Sequence, residues 1–379
     1  MSILACAAVA LALQEPQNDL NTASLYARQG QDAAKPKEDN AQQGAGESAA
    51  PTSGLGELDS KLEDFAREFE SGWNVNVLGY LKFGVVGSDT ERQLQGNNDL
   101  VGLSLTAARL WVDAEIEGWN LRFGLRGEEH TGLGYFGLAG TADELRLFEI
   151  VATREFNENI RVQAGRIRTP FVQTALWDDN QLLFFERSFL GEDWDAFTEG
   201  AALNVRLGPL EGWLSVQDGV DREGSSVALT GRGMLHLGAP RGAMHINEGP
   251  YDSTDELAVT LAAAAFFDTE TDDVSAQSIE AYASVRPFWF SGELVDNGPG
   301  LGDLYSWGVT GAMMLTDEFS IQARVENFDR DDGTDVYRVG FTHYLEGHDV
   351  KWHMEYADAD SNAPLANLGT VTIGAQFSF

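Results

Sequence analysis

The alternation of apolar and polar residues over the last nine positions, Val371 to Phe379, limits the fold most strongly. Val371, Ile373, Ala375, Phe377 and Phe379 share one face of an extended strand; Thr372, Gly374, Gln376 and Ser378 share the other. A strand greasy on one side, polar on the other and ending in an aromatic suits a wall with lipid outside and water within. A soluble strand lying on a core would alternate in the same way, so the weight comes from recurrence back to about Trp73. Val75, Val77, Leu81, Phe83 and Val85 oppose Asn74, Asn76, Tyr80 and Lys82. Leu110, Val112, Ala114 and Ile116 oppose Arg109, Asp113 and Glu115. After a tight Glu117-Gly118-Trp119 turn, Leu121, Phe123 and Leu125 oppose Arg122 and Arg126.

Connections between these segments alternate in length. Long ones run near His130 to Asp143, Thr169 to Thr198, Gln217 to Ser226 and Asp358 to Asn367. Short ones fall at Asn157 to Asn159, Gly208 to Gly212, Arg286 to Phe288, Thr316 to Glu318 and Glu346 to Asp349. The pattern predicts an all-β transmembrane antiparallel barrel of about sixteen strands over 72–379, with long loops at one end and tight turns at the other. Gly238 to Asp255 departs from it, being long on the tight-turn side. A soluble sandwich needs no such two-ended asymmetry. Nor does it readily turn Trp352, Met354 and Tyr356, or Tyr337, Val339 and Phe341, away from a polar partner face.

The N-terminus reads differently. Residues 1–13 resemble a secretory signal with an A-x-A-like end at Ala10 and Ala12, lacking a basic n-region, which leaves the true start codon and cleavage position open. Residues 14–54 are polar and aperiodic, a disordered linker. In 55–71, Leu55, Leu58, Leu62, Phe65 and Phe69 form an amphipathic seam about two heptads long, either packing on its own domain or self-associating as a coiled coil. The only cysteine, Cys6, falls in the signal, so the mature chain has no disulfide or thiolate site. A formal charge of -35 with only five lysines argues against a nucleic-acid partner.

The longest connection, 169–198, carries the functional expectation. It holds Phe171, Leu176, Trp177, Leu182, Leu183, Phe184, Phe185, Phe189, Leu190, Trp194 and Phe197, too many large apolar groups to leave in water. The expected solution is an inward fold against the wall, as a third external loop narrowing the pore. The same loop brings Asp178, Asp179, Glu186, Glu192, Asp193 and Asp195, while parity turns Lys82, Arg109, Arg122, Arg126 and Arg161 inward. Acid on the loop facing base on the wall would set a transverse field that sorts solutes by charge. The same pairs would equally serve as salt bridges pinning the loop. Arg166 and Arg168 fall on the apolar parity unless a bulge intervenes near Gly165.

Gly165-Arg166-Ile167-Arg168-Thr169-Pro170-Phe171, with Phe184-Phe185-Glu186-Arg187-Ser188, resembles the strand-five and loop-three signature of the phosphate-selective porin O and P family. His236-Leu237-Gly238-Ala239 and the terminal Phe379 fit the same resemblance, which covers roughly Trp73 to Phe379. It implies a homotrimeric, 16-stranded barrel in a Gram-negative outer membrane, facing lipid and lipopolysaccharide. The terminal aromatic would be read by the barrel-assembly machinery, and helix 55–71 would be a periplasmic aid to the trimer. Phosphate selectivity in that family rests on pore arginines and lysines. The inward set here mixes Glu115, Glu128, Glu280, Glu293, Glu326 and Glu355 with Arg206, Arg232, Arg286, Arg324 and Arg338. Such a lumen favours passive diffusion of small solutes or ions in general.

Other motifs carry little. Gly132-Leu133-Gly134-Tyr135-Phe136-Gly137 matches GxGxxG without a following helix, and the Asp329 to Asp335 run lacks EF-hand spacing. His343 and His353 are expected to face each other, but two imidazoles without a third ligand make a poor metal site. No catalytic set, cofactor or metal is expected. Against the porin stand a plugged barrel anchoring a periplasmic partner and a soluble secreted β-protein that binds or cleaves glycans.

Overall fold

The computed structural model describes residues 74–88, 101–127, 145–219, 226–238, 247–269, 275–298, 305–328, 334–361 and 368–379. The expected signal, linker and helix lie outside these residues, as do the GxGxxG segment and most of the Asp329 to Asp335 run.

The first half of the sheet comprises β1 (Asn74–Ser88), β2 (Val101–Ile116), β3 (Trp119–Gly127) and β4 (Leu145–Asn157). β5 (Ile160–Arg168), β6 (Phe197–Leu207), β7 (Leu210–Asp218) and β8 (Val227–Gly238) follow. The second half comprises β9 (Ala258–Asp268), β10 (Ser275–Val285), β11 (Phe288–Asn297) and β12 (Tyr305–Met314). β13 (Phe319–Phe328), β14 (Thr334–Glu346), β15 (Val350–Ser361) and β16 (Leu368–Ser378) complete it. Every strand pairs antiparallel with its sequence neighbours, and β16 pairs with β1 to close the barrel. Closure leaves no edge, which lipid demands because an unpaired backbone group there costs several kcal/mol.

The terminal strand seals the ring as its pattern predicts. Gly79 and Phe379 exchange both backbone hydrogen bonds at 2.9 Å. A Cβ on Gly79 would sit 2.6 Å from the Phe379 ring, so the seam needs glycine there. Val371, Ile373 and Phe377 are exposed, while Thr372 and Gln376 are buried inside. The same parity exposes Leu229, Leu261, Ile279, Phe290, Val309 and Phe341 around the outside. An apolar surface continuous around the ring would drive a soluble protein to aggregate, whereas hydrocarbon solvates it.

The turns are built from local chemistry. Glu117 and Gly118 both have positive φ (49° and 77°), the two-residue hairpin geometry that matches strand twist. Asn157 Oδ1 accepts the Asn159 N–H at 2.8 Å in the next turn but one.

Two parity expectations are corrected. Arg286 does not face the interior: it lies in the β10–β11 turn and pairs with Asp317 of the β12–β13 turn, both exposed. His343 and His353 do not face each other, because the register pairs His343 with Trp352 and Thr342 with His353. That offset of one residue puts them on opposite faces. His343 stacks on Phe319 outside, and His353 approaches Thr342 inside.

Candidate functional site

The β5–β6 connection leaves at Arg168, where Pro170 cannot continue the ladder, and makes two short helices, α1 (Gln173–Leu176) and α2 (Phe189–Trp194). Ser188 caps α2 by accepting the Gly191 N–H at 3.0 Å. Between the helices, Asp178 and Gln181 cap each other reciprocally. The loop packs against side chains of β8 to β16 and β1.

Its apolar side chains seat among alanines and large apolar side chains of the wall. Phe171, Val172, Ala175, Leu190 and Trp194 pack against Ala228, Ala264, Phe266, Ala276 and Val295. Trp177, Leu182, Leu183 and Phe184 pack against Ala258, Tyr282, Trp289 and Ala312. Phe185 occupies a notch made by Gly84 and Gly374, which are paired across the β1–β16 seam. A Cβ on either would overlap its ring.

An irregular backbone inside a barrel must find hydrogen-bond partners. Here ionisable strand side chains supply them. Glu280 accepts from the Gln173 N–H (2.8 Å), Glu293 from Thr174 (3.2 Å), Glu355 from Phe185 (2.8 Å) and Glu326 from Phe189 (2.8 Å). Arg232 donates to the Phe171 carbonyl (2.6 Å), Lys351 to Leu182 (2.7 Å), Arg338 to Glu186 (2.9 Å) and Lys82 to Phe185. Much of the mixed inward set that the sequence suggests as lumen lining is therefore buried beneath the loop, holding it.

A second anchor is ionic. Asp179 lies 2.8 Å from both Arg109 and Arg187 and accepts from the Tyr80 hydroxyl at 2.8 Å. Asp195 lies 2.9 Å from Arg168, with Arg109 and Arg187 at 3.9 and 3.8 Å. Asp178 lies 2.9 Å from Arg168 and 3.4 Å from Arg109. Burial alone would raise the Asp179 carboxyl, but Arg109, Arg187 and Lys82 outweigh it and hold the group well below the ordinary range. Burial is likewise the largest influence on Asp195, and Arg168, Arg187 and Arg109 override it downward.

Of the loop acids singled out in the sequence, Asp178, Asp179 and Asp195 converge on this hub. Glu186 lies 3.5 Å from Arg338, its side chain 36% exposed. Glu192 and Asp193 ride on α2, the first exposed and the second half-buried. The wall residues divide. Lys82 and Arg109 are sealed under the loop. Arg122, Arg126 and Arg161 stay partly accessible: Arg122 grips Asp113 through two 2.8 Å bonds, and Arg161 lies 4.8 Å from the centre of the Trp213 ring.

Arg168 and Arg187 complete the hub. Parity along β5 does not decide the direction of the first, and no strand period reaches the second, although both stand in the Gly165–Phe171 and Phe184–Ser188 motifs. Gly165 has φ 126° without a register shift, so there is no bulge at this point. Arg166 stays on the wall, 3.4 Å from the Phe197 and Leu147 carbonyls, whereas Arg168 at the strand's end swings into the loop.

The interior is consequently lopsided. On the β8–β16 and β1 arc the charged side chains are covered. On the β2–β7 arc Arg122 and Arg206 keep 35% and 38% of their side-chain surface, beside Asp113 and Glu211. Among the described residues no three His, Cys, Asp or Glu side chains are placed to hold a metal ion, the hub's aspartates being turned onto arginines.

No protein-family model matches the chain, and no curated protein does. Solved structures do share its fold. A double mutant of the Rh. blastica porin superposes with TM-score 0.55 at 15% identity, covering 81% of this chain and 100% of that one. A loop-deleted form of OmpT, an outer membrane protein of Vibrio cholerae, gives TM-score 0.54 at 12% identity, covering 81% and 99%.

Proposed function

We propose that this chain is an outer-membrane porin through which small hydrophilic solutes and ions diffuse along a passage displaced to one side of the barrel. The supporting observation is the lopsided interior: loop 169–198 covers one arc, and the β2–β7 arc keeps accessible charge. The passage would run between that arc and the loop's exposed edge, with the part-exposed Asp178 and Glu186 on the loop side and Arg122, Arg126 and Arg161 on the wall side. With no catalytic or redox group required, selection rests on width and transverse field. The basic strip of Arg122, Arg126, Arg161 and Arg206 favours a second, narrower reading, an anion or phosphate preference of the kind the O and P resemblance implies.

In this reading the chain sits in a Gram-negative outer membrane among lipid and lipopolysaccharide, assembled as a homotrimer by the barrel-assembly machinery. Helix 55–71 would lie in the periplasm. Reconstitution into a planar bilayer under a salt gradient tests the proposal. Steps of ionic conductance are expected, and neutralising Arg122, Arg126 and Arg161 together should move the reversal potential toward cation preference. Phosphate blocking chloride current would select the narrower reading. A folded barrel that never conducts would remove both and leave the plugged anchor.

A further inference from the structure

The β8–β9 connection is the one long excursion on the tight-turn side, and its described part enters the barrel from that end. Residues 247–257 cross beneath the loop toward the opposite wall. Ser253 and Ser284 of β10 hydrogen-bond at 2.5 Å, and Tyr251 stacks on Tyr344 of β14 at 4.4 Å. Asp252 lies 3.2 Å from His348 in the β14–β15 turn.

At its deepest point Glu248 is fully buried and touches the loop twice. Its N–H donates to the Gln181 carbonyl at 2.9 Å, and its carboxylate accepts the Leu183 N–H at 2.9 Å while pairing with Arg324 of β13. Leu183 in turn fills the space beside Gly249, where a Cβ would approach it to 2.8 Å. A buried carboxylate is costly unless fully partnered, and here its partners are one strand and the tip of the loop. The loop is therefore gripped by a segment that runs into β9 at the tight-turn end of the barrel.

We infer that residues 247–254 are a strap that sets the depth and rigidity of the loop, with Glu248 as the positioning residue, so that the passage is adjusted from the tight-turn side. This rests on the porin reading for its effect on conductance, but the grip can be measured without it.

The test uses the full chain carrying Glu248→Ala, with Asp252→Asn as a milder variant acting on the strap's outer attachment. Hydrogen exchange in detergent reads the grip directly. The Leu183 amide should exchange roughly ten- to a hundredfold faster in Glu248→Ala, the loss of one charge-assisted hydrogen bond. Asp252→Asn should produce a smaller change at the same amide. In a bilayer both variants should show larger or flickering conductance steps. Unchanged Leu183 exchange in both folded variants would overturn the inference whether or not the channel conducts. A conducting wild type whose step size and noise match both variants would overturn the role in setting the passage. A wild type that exchanges as expected yet never conducts would sink the porin reading and leave the strap standing.

Discussion

Neutralising Asp179 should loosen the loop far more than neutralising its neighbour Asp178. Asp179 is met at 2.8 Å by two guanidiniums whose side chains are only 1% and 2% exposed, those of Arg109 and Arg187. Asp179→Asn leaves both cations buried, with Asp195 as their nearest shared acid at 3.9 and 3.8 Å. Removing one member of a buried pair costs about 3–5 kcal/mol. The retained Tyr80 contact and Asp195 argue for the lower end. About 3 kcal/mol is roughly a hundredfold in the fraction of open loop. Asp178 keeps 27% of its side-chain surface, so water screens its pairs and about 1 kcal/mol, roughly fivefold, is the ceiling. Trypsin cleavage after Arg187, which is buried in the docked loop, reads that fraction when closing outpaces cleavage. Retention of the folded barrel's gel mobility before boiling controls for misfolding. Equal cleavage rates for the two variants would refute the hub as the loop's ionic anchor.

Two further outcomes follow from the same geometry. Gly374→Val fills the notch under Phe185, so the ring must leave, and single-channel conductance should change while the barrel still assembles; an unchanged channel would mean the notch is not its seat. Acidification should separate loop from strap when residue-resolved exchange is followed against pH. Asp179 and Asp195 have depressed folded pKa values, so their stabilisation is complete above the unfolded value of about 3.9 and lost only as pH falls below it. His348 is depressed by burial first and then by Lys351, whose Nζ lies 3.4 Å away; its contribution is therefore present above about 6.5 and declines as pH drops below that. Exchange in the strap should rise between about pH 6.5 and 4 while the Asp–Arg hub holds; a hub that opens first reverses the assignment.

Reading along the chain is enough for the strand period, the outward and inward faces, the tight-turn end and the apolar content that keeps the long loop out of water. These are local properties: a side chain's face in a strand depends only on counting by two. What parity could not supply was the use made of each inward group. Glu355 reads as lumen lining until Phe185, 170 residues away, brings its N–H to the carboxylate. Arg168 escapes its parity because the strand ends beneath it, and the two histidines part because a register offset of one residue is invisible within either strand. The strap was legible only as an anomaly of length, since its meaning lies in Leu183 and Arg324, which it meets only once the ring is closed. Pattern along the chain fixes which way a residue points; whether it points at water or at buried backbone is decided by contacts between distant segments, and only the closed barrel makes those.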